Sequence, residues 1–251
     1  MGNQKTLQSK EMNECMRHMA KTKAAIFDLD DTLIKGNASE NIGKACLKKE
    51  LVKGNLKNFL RGIKNFIIVK NKLRNEKTDD NALYDSLRIF YNTLIETGIT
   101  EKEMRSTAKS YMEKNIIKNT AMLARNFDKF KMISTMSGST AAKVATELAN
   151  FQAFISNEEI FDKDGKLVDA AIIMKNGEQK AEATSIAMWQ HGIRIKNCTV
   201  IVNGYNDIPL LFEAKKNGLV IASPYAVEEV KKNADIVLSE KEDLIEFKRE
   251  L

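Results

Sequence analysis

The stretch Ala24-Ala25-Ile26-Phe27-Asp28-Leu29-Asp30-Asp31-Thr32-Leu33 decides how this chain is read. Apolar residues of strand type lead into two carboxylates spaced i, i+2, and a Thr follows. Alternation along a strand puts such residues on the same side. Asp28 and Asp30 are therefore expected to point together into the crevice at the strand's C-terminal end, where open α/β sheets bind ligands. Two like charges so close need a cation or a positive side chain to offset them. A divalent metal fits, with one carboxylate left to act as a nucleophile. Asp-rich turns and helix caps give similar tripeptides. A calcium loop of the EF-hand type starting at Asp28 fails, because its Gly position is Leu33 and its closing Glu position is Ser39.

The chain changes character on either side of this strand. Residues 1–22 are polar and Lys-rich, with Met12, Met16 and Met19 as sparse apolar points, and read as an extension or a short helix. From Gly36 to about Phe127 the apolar period is helical. Leu56, Phe59, Leu60, Ile63, Phe66, Ile67 and Leu73 recur at steps of three and four. A second helix is expected over Asp79 to Glu96, closed by Gly98. Thr100 with Glu103 forms a capping box for a third. About ninety helical residues in a row exceed one crossover between parallel strands. They read as a helical unit inserted directly after the first strand.

Beyond Phe130, strands and helices alternate. Strands are expected at Lys131–Ser134, Phe154–Ile155, Thr199–Val202, Leu219–Ala222 and Ile236–Leu238. Asp162-Lys163-Asp164-Gly165 is a hairpin turn signal between Glu159–Phe161 and Lys166–Val168. Helices are expected at Thr140–Leu148, Gln179–Gln190, Asp207–Lys216 and Val227–Lys232. This alternation predicts an α/β fold: a Rossmann-like parallel sheet with helices on both faces and an inserted α-helical domain.

Composition narrows the function classes. The 251 residues are 43% hydrophobic, enough for a substantial core, and the net charge of +6 favours acidic partners such as phosphorylated substrates. The basic residues are scattered, with no zinc-finger spacing, so no nucleic-acid partner is expected. Cys15, Cys46 and Cys198 form no CxxC pair, which suits free thiols in a reducing compartment, the cytoplasm. The longest apolar cluster, Phe66-Ile67-Ile68-Val69, is too short to span a bilayer, and no membrane partner is expected. The N-terminus lacks a signal-peptide core. Met1-Gly2-Asn3-Gln4-Lys5-Thr6 fits the loose N-myristoylation pattern, which chance also produces.

Three later segments carry polar groups at a strand end or helix start. Ser134 closes a strand, and Thr135-Met136-Ser137-Gly138-Ser139 leads into a helix whose first N–H groups suit a phosphate. Lys180 stands in the first turn of another helix, where the dipole disfavours it, so neutralising a phosphoryl group is a reason for it to be there. Thr199-Val200-Ile201-Val202 runs into Asn203-Gly204-Tyr205-Asn206-Asp207, a loop crowded with oxygen-bearing side chains.

In this order the four segments resemble the motifs of the haloacid dehalogenase superfamily. Asp28-Leu29-Asp30-Asp31-Thr32 resembles the first, Ser134 the second, Lys180 the third and Asn203–Asp207 the fourth. The helical insertion resembles the C1-type cap of the phosphoserine-phosphatase-like branch. The resemblance covers about residues 24–240 and implies a core of 23–35 and 128–251 with a cap of 36–127. It implies a Mg²⁺-dependent phosphatase of a small phosphorylated metabolite that works through a phospho-aspartyl enzyme. Asp28 would be the nucleophile and Asp30 the general acid and base. Ser134 and Lys180 would hold the phosphoryl oxygens. The metal set would be Asp28, Asp30 through its carbonyl, Asn203 and Asp207.

One position departs from the family. Its fourth motif begins with an acidic residue, and here that residue is Asn203. A carboxamide brings an oxygen without a charge, so metal affinity is expected to fall. Asn203 suggests one rival, a phosphatase-like binding or regulatory protein with weakened catalysis; a separate one is a phosphotransferase that passes the aspartyl phosphate to an alcohol. Arg61, Arg74 and Arg88 are candidate anion-binding positions in the cap, with solvated helix surface the plainer reading of each.

Overall fold

The computed structural model describes residues 12–75, 80–239 and 245–247, with side chains described over 12–69 and 84–239. Its centre is β1 (Ala24–Phe27), every residue of which is buried. It pairs in parallel with β2 (Phe130–Gly138) on one side and β5 (Cys198–Val202) on the other, with Phe27 opposite Ile133 and Ile201. The sheet continues outward through β3 (Ala153–Phe161) to β4 (Leu167–Ala171), and through β6 (Leu219–Ala222) and β7 (Ile236–Leu238) to β8 (Ile245–Phe247). Among the described residues the strands run in the order β4-β3-β2-β1-β5-β6-β7-β8, with the edge strands β4 and β8 pairing antiparallel and the rest parallel. The chain leaves β1 toward β2 and returns to the other side at β5. The C-terminal end of β1 is therefore the switch point where such sheets open a crevice.

Each face of the sheet has its own apolar layer. Ala25, Phe27, Ile133, Ile201 and Ile221 face one cluster, and Phe27 meets Phe151 edge to face at 5.1 Å. Ala24, Ile26, Met132, Val200 and Val202 face the other. A side chain such as Ile26, fully buried, contributes about 2 kcal/mol of hydrophobic stabilisation.

Among the described residues, five helices lie between β1 and β2: α2 (Ala38–Val52), α3 (Leu56–Asn75), α4 (Asp80–Glu96), α5 (Glu101–Asn115) and α6 (Lys118–Asn126). The expected capping box opens α5: Glu103 N donates to Thr100 Oγ1 (3.3 Å), and Thr100 N donates to Glu103 Oε2 (3.0 Å). Met104, Ala108 and Met112 of α5 and Leu123 and Ala124 of α6 share one apolar cluster with Phe27 and Ile133. α5 and α6 pack against α7 (Ser139–Ala149), which lies on β2 and β3. The second face carries α8 (Gly177–Gln190), α9 (Ile208–Ala214) and α10 (Glu228–Asn233), whose Met188, Leu210 and Val230 join the other cluster.

Several elements refine or extend what the sequence predicts. Residues 12–20 form a helix, α1, with Met12, Cys15 and Met19 inside the core. Lys129 Nζ anchors its end by donating to Ala20 O (2.6 Å) and Thr22 O (2.8 Å). Met1–Thr6 lie outside the described residues. β2 runs four residues past Ser134, with a register shift against β3 between Ser134 and Gly138. Such bulges re-aim side chains at sheet ends. β8 is not among the strands expected from the sequence.

Candidate active site

β1 ends at Phe27, but Asp28 N still donates to Ile201 O (2.9 Å), so the ladder holds Asp28 in place. Alternation puts its carboxylate on the face of Ile26, the face covered by α8. There it meets Lys180. Lys180 Nζ donates to Asp28 Oδ1 (2.6 Å) and to Asp207 Oδ1 (2.5 Å), and it is fully buried. Its ammonium therefore has a partner on each side, which accounts for a Lys in the first turn of a helix. Burial alone would lower its pKa, but the charges of Asp207 and Asp28 hold it well above the usual lysine value. One ammonium does not neutralise two buried carboxylates. Burial pushes the Asp28 carboxyl up to about 7 against the pull of Lys180.

Asp207 fastens the loop after β5. Its Oδ2 accepts from Asn203 N (3.1 Å) and Gly204 N (3.0 Å), and its other oxygen accepts from Lys180. Both oxygens of this expected metal ligand are thus given to protein donors. Asp207 anchors Lys180 and the loop.

Asp30 enters the same crevice from the turn that follows. The turn closes on itself: Gly36 N donates to Asp31 Oδ1 (2.6 Å) and Asp31 N to Gly36 O (3.2 Å). Gly36 has φ +78°, and a Cβ there would stand 2.5 Å from Tyr111 Oη, so only glycine fits. The chain then starts α2 with its first N–H aimed back at the crevice. Ala38 N donates to Asp30 Oδ1 (2.8 Å), while Asn37 Nδ2 (3.1 Å) and Ser137 Oγ (2.5 Å) donate to Oδ2. Burial pushes this carboxyl up to about 6, opposed by the bonds from Ser137 and Ala38. Ser39 Oγ donates to Ser137 Oγ (3.1 Å), which ties the start of α2 to the end of β2.

Ser134 and Asp28, the partner of Lys180, each follow the Phe27–Ile133 pair by one position and so lie on the same face of the sheet, but the two expected phosphate-binding groups bond differently. Lys180 is in contact with Asp28, but Ser134 is fully buried and bonded to Thr184 Oγ1 (2.7 Å). Thr184 gives its own proton to Lys180 O (2.6 Å), so Ser134 is the donor of the first bond and fastens α8 to β2. The N-terminus of α7, expected to suit a phosphate, is taken by a carboxylate of the chain itself. Thr140 N donates to Glu159 Oε2 (2.7 Å), and a Cβ on Gly138 would stand 1.9 Å from Glu159 Oε1. Glu159 satisfies that helix end as an anion would.

Asn37, Ser137, Thr184 and Glu159 belong to the site or its supports; the sequence placed Ser137 in a segment suited to a phosphate and gave the other three no role. Asn37 carried a detectable signal, an Asn before a helix, and its Oδ1 accepts from Glu40 N (2.8 Å). The others act on partners remote in sequence. Arg61 pairs with Glu96 (2.8 Å), and Arg88 with Asp169 (3.4 Å), both at the surface. The Arg74 side chain lies outside the described residues.

No group of three or more His, Cys, Asp or Glu side chains that would hold a metal occurs among the described residues. The donors that remain are hard oxygens. Asp28 Oδ2 and the Asn203 carboxamide have no hydrogen bond among the described residues, and the Asp30 carbonyl follows two positions on. Such a set fits Mg²⁺ in donor type, with one carboxylate fewer than an acidic residue at 203 would give.

No protein-family model matches the chain, and no curated protein matches it in sequence. Solved structures do match. A HAD family hydrolase from Salmonella enterica subsp. enterica serovar Typhi superposes with TM-score 0.63 at 15% identity, over 86% of this chain and 66% of the other. A phosphoserine phosphatase solved as a phospho-aspartyl intermediate analogue gives 0.60 at 23% identity, over 89% of this chain and 95% of that one. A phosphoserine phosphohydrolase-like protein from Francisella tularensis subsp. tularensis gives 0.58 at 19%, over 86% and 94%. The chain thus has the α/β fold shared by haloacid dehalogenase (HAD) family hydrolases and phosphoserine phosphatases.

Proposed function

We propose that this chain is a phosphomonoester hydrolase acting on a small phosphorylated metabolite, with Asp28 as nucleophile. The observation that carries this reading is the contact of Asp28 with Lys180 at the end of the central strand, with Asp30 in the same crevice. An Asp28 oxygen attacks phosphorus as the bond to the leaving alcohol breaks. Lys180 offsets the negative charge beside the attacked centre. Asp30 gives its proton to the departing oxygen, then takes one from the water that cleaves the acyl phosphate. Asn37, Ala38 and Ser137 aim Asp30 for both transfers. Mg²⁺, held by Asp28, the Asp30 carbonyl and Asn203, would supply charge stabilisation at the phosphoryl oxygens.

Residues 23–35 and 128–251 serve in this reading as the catalytic core, and 36–127 as the cap. Phosphoserine enters as the substrate class of the fold neighbours. The three free, buried cysteines suit a reducing compartment such as the cytoplasm. Hydrolysis of p-nitrophenyl phosphate and of a panel of phosphorylated metabolites, with and without Mg²⁺, tests the proposal. No turnover of any of them would overturn it.

Asp30→Asn removes the proton donor and the later base but keeps the nucleophile. A loss of about 10²–10⁴-fold is expected for alkyl phosphates. The loss is expected to be smaller for aryl phosphates, whose leaving groups need less protonation. Equal losses for both would assign Asp30 to holding the crevice only.

Asn203 favours the second reading, a phosphatase-like protein with weakened catalysis. Asn203→Asp restores a hard anionic ligand, and about tenfold tighter apparent Mg²⁺ half-saturation is expected, with equal or higher turnover. An unchanged Mg²⁺ dependence would remove Asn203 from the metal set. An inactive protein made active by this change would show that the natural sequence binds rather than hydrolyses.

A further inference from the structure

We propose that α3 seats this protein on an anionic lipid surface. Leu56, Leu60 and Ile67 on α3 are 57%, 56% and 54% exposed, and Leu51 and Val52 just before it are 49% and 80% exposed. At about 100° per residue, the three α3 positions fall within one stripe roughly 40° wide. The other side of the helix is already used. Phe66 meets Phe90 edge to face at 5.9 Å, Asn65 Nδ2 donates to Thr93 Oγ1 (3.0 Å), and a Cβ on Gly62 would stand 2.0 Å from Leu47. The apolar stripe therefore points away from the fold.

Charge identifies what would cover it. From Leu51 to Asn75 the chain holds no Asp or Glu, but it holds Lys53, Lys57, Arg61, Lys64, Lys70, Lys72 and Arg74. Lys57 and Lys64 are exposed, lie beside the stripe on the helical wheel, and have no carboxylate partner among the described residues. Arg61, further round, is paired with Glu96 (2.8 Å). An apolar stripe beside lysines on a helix about 30 Å long is the pattern of an interfacial helix on anionic headgroups. A second copy would bring one acid-free face against another, which like charge opposes. Among the described residues no helix is long and apolar enough to cross a membrane, and lying in the interface requires none. The proposal departs from the expectation of no membrane partner and does not depend on the active-site reading.

The full chain is co-sedimented with phosphatidylcholine vesicles with and without phosphatidylserine. Binding is expected only to the phosphatidylserine vesicles and is expected to weaken as salt rises. Lys57→Glu/Lys64→Glu should lower the affinity by about thirtyfold or more. Leu60→Ser/Ile67→Ser should lower it by about tenfold or more. Thermal unfolding should remain that of the wild type, because these side chains are exposed. Failure to bind phosphatidylserine vesicles overturns the proposal, as does binding that neither variant weakens. A dimer in light scattering that Leu60→Ser/Ile67→Ser converts to monomer would assign the stripe to self-association and overturn it too. Retention on an acidic polypeptide that the apolar variant leaves unchanged, without vesicle binding, would do the same.

Discussion

Asp28→Asn is expected to lower phosphomonoester hydrolysis by about 10⁴-fold or more while leaving unfolding close to that of the wild type. The carboxamide keeps the shape of the side chain and an oxygen for the bond from Lys180 Nζ. It does not supply the anionic oxygen that must form the bond to phosphorus. The fold should tolerate the change for an electrostatic reason. Lys180 now faces two buried carboxylates, and after substitution it keeps Asp207 at 2.5 Å. One positive and one negative charge then remain, a better balance than before. Single-turnover assays with p-nitrophenyl phosphate, beside a urea unfolding curve, separate chemistry from folding. Unchanged turnover in a folded Asp28→Asn protein would sink the nucleophile assignment and with it the proposed mechanism.

The parts of this molecule legible in its sequence are those signalled by adjacent residues. β5, β6 and β7 lie where their β-branched runs placed them, at Cys198–Val202, Leu219–Ala222 and Ile236–Leu238. The α/β order and the helical segment after β1 were readable from the change of apolar period. The ordered set of motifs suggested that Asp28 and Lys180 share a site, but their direct pairing across 152 residues leaves no local trace. What escaped reading depends on partners that no local pattern names. Ser134 looked like a hydroxyl waiting for phosphate, yet Thr184, fifty residues on, bonds it. The N-terminus of α7 looked like an open anion site until Glu159 arrived from β3. Ser137 reaches Asp30 only because β2 continues past Ser134 and shifts register against β3. α1 did leave a trace. A short helix was one of its two readings, but nothing local showed that Met12, Cys15 and Met19 would join the core.

Lys180→Met should be the most destabilising single change in the crevice, by about 3–5 kcal/mol at neutral pH. The methionine fills much of the volume, so cavity formation is a minor part of the loss. The larger part is that Asp28 and Asp207, each 2.5–2.6 Å from the ammonium, are left buried with no positive partner. The sign of the pH dependence follows. Burial raises the Asp28 carboxyl in the folded state, the charge of Asp207 adds to this, and without Lys180 nothing of opposite charge opposes it. A raised folded pKa stabilises at low pH, where the folded state keeps its protons, and that stability is lost as pH rises through the folded value. The variant should therefore be closest to wild type near pH 5 and furthest from it near pH 8. Adding Asp207→Asn removes one of the stranded charges and should recover part of the loss, so the two changes should not add. Urea unfolding of the four proteins of this cycle at both pH values is the measurement. Equal destabilisation at both, with simple additivity, would mean that Lys180 acts through packing and that its two ion pairs contribute nothing to the fold.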